Sequence, residues 1–459
     1  MEKINAWDTY SDQEMNNLKD INTQYLELLN RAKTERRCVE ETIRLAEQHG
    51  YKNLDMLISE QKTIQTGDKV YQTIMGRAIV LYHIGEDRME SGINILGAHI
   101  DSPRIDIKQV PLYESKGFAY LDTHYYGGIR KYQWLSTPLA LYGVIYKTDG
   151  TKIDITIGEK ETDPVFVISD LLPHLAQEYN KRTAAEFVKG EKLDLIIGNQ
   201  PTKDVEKENV KATILTLLQE EYAIDEADFM SAELQIVPAG KARECGLDRS
   251  MIMGYGQDDR VCAFTSVFAL LELKQPKRTA CCILVDKEEI GSVGATSMSS
   301  RFFENSVAEV MERKGEYSSL KLKRALANSY MLSSDVSVAY DPSYAECFEE
   351  QNTAFLGRGL VFSKYTGARG KSSSNDASPE YMAKLRKIME ESNVHFQTAE
   401  LGAVDVGGGG TIAYLLGNLG MHVIDSGVAV LGMHSLYEVT SKADIYEAYK
   451  GYLAFLQKA

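Results

Sequence analysis

No stretch of this chain is both uncharged and long enough to cross a bilayer, and its opening, Met1-Glu2-Lys3-Ile4-Asn5, lacks the apolar core of a signal peptide. A soluble cytoplasmic enzyme is the expectation. Basic charge is also short: 51 Lys plus Arg stand against 66 Asp plus Glu, a formal net charge of −15. Such a balance repels phosphate backbones and acidic membrane surfaces, which argues against a nucleic-acid or membrane partner. Cysteine is scarce. Cys38, Cys245, Cys262, Cys281, Cys282 and Cys347 show neither the C-x-x-C spacing of a zinc ribbon nor the density of a disulfide scaffold, so reduced thiols are expected. No internal repeat is present.

What is there is length, 459 residues of 44% hydrophobic content, enough for two or three domains. Two amphipathic helices are expected across residues 11–49, where Leu18, Ile21, Tyr25, Leu28 and Leu29 recur at helical spacing. Tyr71 to His83 and Gly92 to Ile100 read as strands, the second running into His99-Ile100-Asp101-Ser102-Pro103. From about Asp106 to Val237 the texture shifts to alternating, Tyr-, Thr- and Gly-rich patterns, with a polar segment from Gly198 to Lys211 that reads as a loop. Beyond it strands and helices alternate. A helix follows Asp258, a strand runs from Cys281 to Val285, and a helix lies near Ser318 to Ala327. Then come a strand Tyr330 to Ser334, a helix Ser378 to Ser392, a strand His395 to Glu400, a helix from Thr411 and a strand Val423 to Leu431. The expected fold class is α/β: a mixed sheet covered by helices on both faces, formed by residues 1–105 and 239–459, with a mostly β domain, 106–238, inserted between them.

Five motifs fall where an apolar strand ends or a helix begins. His99-x-Asp101 puts both side chains on one side of an extended segment, so Asp101 can hold one imidazole nitrogen while the other binds a metal. Asp258-Asp259-Arg260 opens a helix, where carboxylates are welcome. Glu288-Glu289 follows the strand ending at Val285, Ser334-Asp335 ends another, and Met433-His434-Ser435 follows a third. Taken singly these are an incidental pair, an N-cap, a solvated loop, a turn aspartate and a structural histidine. Together, two His, two Asp and one Glu form an oxygen-and-imidazole set suited to two divalent ions, zinc, cobalt or manganese, with a second glutamate left over as base.

Residues 97–103, Tyr126-Gly127-Gly128, 257–260, 286–292, Ser334-Asp335 and Met433-His434-Ser435 together resemble the aspartyl aminopeptidase family, dinuclear metallopeptidases that trim N-terminal residues from peptides. The resemblance spans nearly the whole chain. It implies two divalent ions per subunit, zinc foremost with cobalt or manganese as alternatives: His99 and Asp335 on one, Glu289 and His434 on the other, and Asp258 rather than Asp259 bridging. Glu288 would be the general base and Asp101 the orienter of His99. It further implies that the inserted domain builds dimers that assemble into a hollow tetrahedral dodecamer. His174, in Leu171-Leu172-Pro173-His174-Leu175-Ala176, resembles a histidine that reaches a neighbouring subunit's active site. A preference for N-terminal Asp or Glu would need local cations, for which Lys364, Arg369 and Lys371 are candidates.

The residues also admit two competing readings. Gly367-Ala368-Arg369-Gly370-Lys371-Ser372 suggests a phosphate loop, but G-x-x-x-x-G-K-[ST] needs glycine at position 365, which holds Tyr365. A dinuclear deacylase acting on N-acyl amino acids would use the same ligand set, and its substrates would tell it apart.

Overall fold

The structure, a computed structural model, describes residues 4–459; Met1–Lys3, part of the opening read above, lie outside the described residues. By packing, the chain divides into two compact units. One takes the residues up to Asp101, Ala242–Met433 and Tyr437–Ala459; the other takes Ser102–Lys241 and His434–Leu436.

The first unit is organised around two strands, Asn94–His99 and Ala280–Val285, buried at every position and apolar along their length between Asn94 and His99 and throughout Ala280–Val285. Uninterrupted apolar strands need cover on both faces. They pair in parallel from Ala280 opposite Asn94 to Val285 opposite His99. Tyr330–Ser333 adds in parallel on the far side of Asn94–His99, and His422–Gly427 in parallel beyond it. The full sheet has nine strands: Lys52–Asn53, Lys69–Ile74, Ala78–His83, Ala280–Val285, Asn94–His99, Tyr330–Ser333, His422–Gly427, Leu360–Ser363 and Phe396–Thr398.

Strand period two then sorts neighbours into two cores. Ile95, Ile283, Met331 and Val423 pack with Phe303, Val307 and Val310 of helix Phe302–Arg313. Leu96, Ala98, Leu284 and Leu332 pack with Val261, Phe264 and Phe268 of helix Gln257–Glu272 and Phe455 of helix Lys442–Lys458. Every residue from Gln257 to Leu271 is buried, as a helix between a sheet and other helices must be. The two N-terminal helices are Asp12–Arg31, entered through a Ser11–Glu14 capping box, and Glu35–Gln48.

Two expected strands are divided. Tyr71 to His83 is a hairpin, Lys69–Ile74 against Ala78–His83, because Met75 and Gly76 take positive φ of 53° and 65° and reverse the chain. Val423 to Leu431 changes sheets. His422–Gly427 stays in the nine-stranded sheet, while Ala429–Leu431 joins a five-stranded one ordered Arg243–Cys245, Met251–Gly254, Glu438–Ser441, Ala429–Leu431, Ser337–Val338. The break falls at Gly427, where a Cβ would lie 1.8 Å from the Asp335 carbonyl oxygen, so only glycine lets the two backbones pass. The strand expected at His395 to Glu400 is Phe396–Thr398, and the helix expected from Thr411 is the short Ala413–Gly417.

The second unit is an antiparallel six-stranded sheet, ordered Lys152–Ile157, Leu139–Tyr146, Ala232–Pro238, Arg104–Ser115, Phe118–Tyr126 and Leu195–Gly198. The polar segment expected as a loop to Lys211 ends earlier, since helix Asn209–Tyr222 has begun by then.

Candidate active site

The carboxyl ends of the parallel strands gather the polar residues, the place where open α/β sheets carry their chemistry. His99 is the last residue of its strand and is 1% exposed. Its Nε2 lies 3.1 Å from Asp258 Oδ1. Its Nδ1 lies 2.9 Å from the Asp101 carbonyl oxygen and 3.3 Å from Asp101 Oδ1. Asp101 therefore orients the ring, and it does more. Its two carboxylate oxygens accept the backbone N–H groups of Glu288 and Glu289, each at 3.1 Å. That tie was invisible in sequence, because its donors are main-chain groups that any residue carries.

Asp258 is aimed by its surroundings. Gly256, at φ 63°, precedes it, and Gln257 donates its side-chain amide to the carbonyls of Ile252 (3.1 Å) and Glu438 (2.6 Å). The Asp258 N–H reaches Glu438 Oε2 at 3.0 Å. Arg260, fully buried, donates Nε to the Gly256 carbonyl at 2.7 Å and its two terminal nitrogens to the carbonyls of Ala32 and Tyr255, which satisfies a charge held out of water. Of the adjacent aspartates, Asp258 faces the His99 ring, whereas Asp259 Oδ2 lies 3.4 Å from the His99 main-chain nitrogen. Glu438 and Arg260 as positioners were not singled out from sequence; the only cue was Arg260 directly following the aspartates.

One ligand atom each from His99, Asp258 and Asp335 lie within 4.8 Å of one another, and so do one each from His99, Glu288 and Glu289. Electrostatically this is a crowded place. Burial pushes Asp335 well above the usual carboxylate range; His99 opposes this, and Glu288, Asp258 and Asp425 add to it. Burial pulls the His99 imidazole down, but hydrogen bonding to Asp101 and Asp258 more than offsets it and leaves the ring well above its usual value. Four carboxylates gathered around one buried imidazole are what a divalent cation relieves, and the donor set contains no thiolate. The residues present therefore fit a metal centre.

His434, which follows strand Ala429–Leu431, belongs to the second unit and has Nδ1 3.2 Å from the Gly128 carbonyl oxygen. His174 lies in the exposed turn Pro173–Leu175 of the same unit. The three cations suggested for an acidic side chain are unequal. Lys364 and Lys371 both pair with Asp376, the second at 3.2 Å, and Lys371 also sits 3.7 Å over the Tyr365 ring. Arg369, in the left-handed region at φ 44°, is exposed and lines a cavity of about 220 Å³ together with Lys371, Tyr365, Glu400 and Asp405.

The family described as aminopeptidase I zinc metalloprotease (M18) matches residues 28–456. A probable M18 family aminopeptidase 1 of Clostridium acetobutylicum is 54% identical over 453 residues, covering 98% of this chain and 97% of the relative. The crystal structure of aminopeptidase I from that organism superposes with a TM-score of 0.93 over 99% of both chains. The crystal structure of an M18 aminopeptidase from Thermotoga maritima, 44% identical, superposes with a TM-score of 0.96 over 100% of both. The S. cerevisiae mApe1 dodecamer shares the fold at 20% identity, with a TM-score of 0.76 over 96% of this chain and 97% of that one. By sequence along almost its whole length, and by fold, the chain belongs to the M18 family of zinc metallo-aminopeptidases.

Proposed function

We propose that this aminopeptidase holds two divalent ions, zinc foremost, with His99 and Asp335 on one, Glu289 and His434 on the other and Asp258 between them, and that Glu288 is its general base. The observation that carries this is the convergence of His99, Asp258 and Asp335, the first two buried, with Glu288 and Glu289 beside His99. When bound, such ions polarise the scissile carbonyl and acidify a water. The chain's own residues do the rest. Glu288 takes the proton from the attacking water and returns it to the departing amine, so one carboxylate serves twice. Asp101 holds the main chain of Glu288 and Glu289 in place from one side while its carbonyl fixes the His99 ring. The surplus of carboxylates favours a substrate with a free, protonated N-terminus, which suits an exopeptidase.

The finer features follow from family resemblance joined to local observations. A preference for N-terminal Asp or Glu would rest chiefly on Arg369, because Asp376 already engages Lys364 and Lys371. Exposed Leu171, Leu172 and Leu175 around His174 suit a subunit contact; the family resemblance is what implies that the second unit builds dimers, and from them a tetrahedral dodecamer in which His174 serves a neighbour's site. The free cysteines fit the reducing cytoplasm, and no described helix is long and apolar enough to cross a membrane.

The test is turnover of a panel of aminoacyl-anilides and their N-acetylated counterparts by the protein reconstituted with zinc, cobalt or manganese. Free-amine substrates should turn over, acetylated ones should not, and elemental analysis should count two ions per chain. Preferential cleavage of the acetylated set would favour the deacylase, and a single ion at full activity would end the two-ion reading.

A further inference from the structure

The turn that carries Glu288 and Glu289 is gripped from two sides. On one side stands Asp101, described above. On the other, Asp286, 0% exposed, closes the base of the loop: its N–H donates to the Thr296 carbonyl at 3.1 Å, and its Oδ2 accepts the Thr296 hydroxyl at 2.6 Å. Asp286 is in turn held by an arginine far away in sequence. Arg77 Nε lies 2.8 Å from Asp286 Oδ2 and Arg77 Nη2 lies 3.2 Å from Oδ1, a two-pronged pair. The same Nη2 reaches Glu35 Oε1 at 3.1 Å, at the first residue of helix Glu35–Gln48 and 1% exposed. Arg77 itself directly follows the Met75-Gly76 reversal.

The loop needs holding. Lys287 and Ser292 both adopt left-handed backbone, at φ 70° and 54°, a conformation that side chains disfavour. A strained turn keeps its shape only where its surroundings over-determine it. Arg77 also bridges two buried carboxylates, Glu35 and Asp286, at 3.1 and 2.8 Å.

We propose that Arg77 is a positioning residue for the catalytic turn: by clamping Asp286 against Glu35 it sets where Glu288 and Glu289 point. The inference rests on the roles given to those two glutamates, but it concerns a residue that touches neither substrate nor ligand. Its chemistry is geometric. A guanidinium offers two fixed N–H prongs to one carboxylate, and a lysine offers charge without the fork.

The experiment compares wild type with Arg77→Lys, which keeps the charge, and with Asp286→Asn, which removes the clamp from the other end. Amide hydrogen exchange on the metal-free full chain reads the turn directly. Exchange across 284–296 should rise about tenfold or more in both variants, while the buried helix Gln257–Glu272 stays as protected as in wild type. In the reconstituted enzyme Arg77→Lys should lower kcat roughly ten- to a hundredfold with KM within about twofold, the pattern of misplaced reacting groups. Unchanged exchange in 284–296 would overturn the proposal, as would faster exchange spread evenly over the molecule, which marks a merely structural ion pair. An unaltered kcat in Arg77→Lys would overturn it too. Wild-type protein inactive on every anilide would defeat the peptidase mechanism alone, because the exchange contrast is read without metal or substrate.

Discussion

Glu288 and Glu289 are neighbours in sequence and share an anchor, yet the proposed chemistry separates them into a proton carrier and a ligand. A single atom tests the division. Glu288→Gln preserves the size of the side chain and the main-chain bond to Asp101 but removes the capacity to take a proton. Turnover should fall by a factor of roughly a hundred or more, the scale of a lost acid-base group. Metal content by elemental analysis and thermal midpoint should stay at wild-type values. A variant that hydrolysed anilides at close to the normal rate would move the base to another residue. At this scale the sequence was most informative where side chains do the work. His99 lies within 4.8 Å of ligand atoms of Asp258 and Asp335 and of Glu288 and Glu289, residues whose types and places at strand ends the sequence displays, while their roles are part of the proposal. It was least informative where the main chain or a distant partner does the work, as with Asp101 bonding two amides, Glu438 holding the Asp258 N–H, and Arg77 reaching Asp286.

Among the elements, the hairpin Lys69–Ile74 to Ala78–His83 shows both the strength and the limit of pattern reading. Its second strand is apolar and buried at every position, and the turn between the strands lacks the usual Asn-Gly signal, so the two strands read as one. Helix Phe302–Arg313 lacks a start signal, since its N-cap residue, Arg301, makes no side-chain cap bond. By contrast Ser378 before Pro379 announced helix Pro379–Glu391 plainly. The hairpin also carries a pH-dependent liability. His83 is 5% exposed, its Nδ1 has no hydrogen-bond partner, and Lys69 lies directly opposite on the paired strand. Burial, with Lys69 adding to it, lowers its pKa to about 4. The native state thus holds the neutral ring while the unfolded chain binds a proton below about pH 6.5, so the contribution is full above that pH and is lost as pH falls through about 4. At 1.36 kcal/mol per unit the loss is on the order of 3 kcal/mol. His83→Phe should flatten the fall of the urea midpoint between pH 6.5 and pH 4 relative to wild type. Parallel curves for the two proteins would show that His83 takes no part in it.

For the whole molecule the question is what covers the second unit. A chain with a net charge of −15 has every reason to keep apolar side chains out of water, yet Leu171 (40%), Leu172 (55%) and Leu175 (68%) stand exposed within five residues, near Val165 at 53%. Single exposed leucines need no explanation, but a run of them around a histidine does. Burial of a leucine side chain contributes about 1.5–3 kcal/mol, so two such residues at each repeat of a contact are enough to shift association by two or more orders of magnitude. Replacing the exposed Leu172 and Leu175 with Asp places like charge on both sides of a self-contact. Sedimentation velocity at micromolar concentration should then show the wild type as a large closed assembly and the double variant as a dimer or smaller. If His174 acts across the contact, the variant should lose activity in step with assembly, and His174→Ala should lose activity while remaining assembled. An unchanged sedimentation profile for Leu172→Asp/Leu175→Asp would show that this face is not where subunits meet, and the role of His174 at a neighbour's site would fall with it.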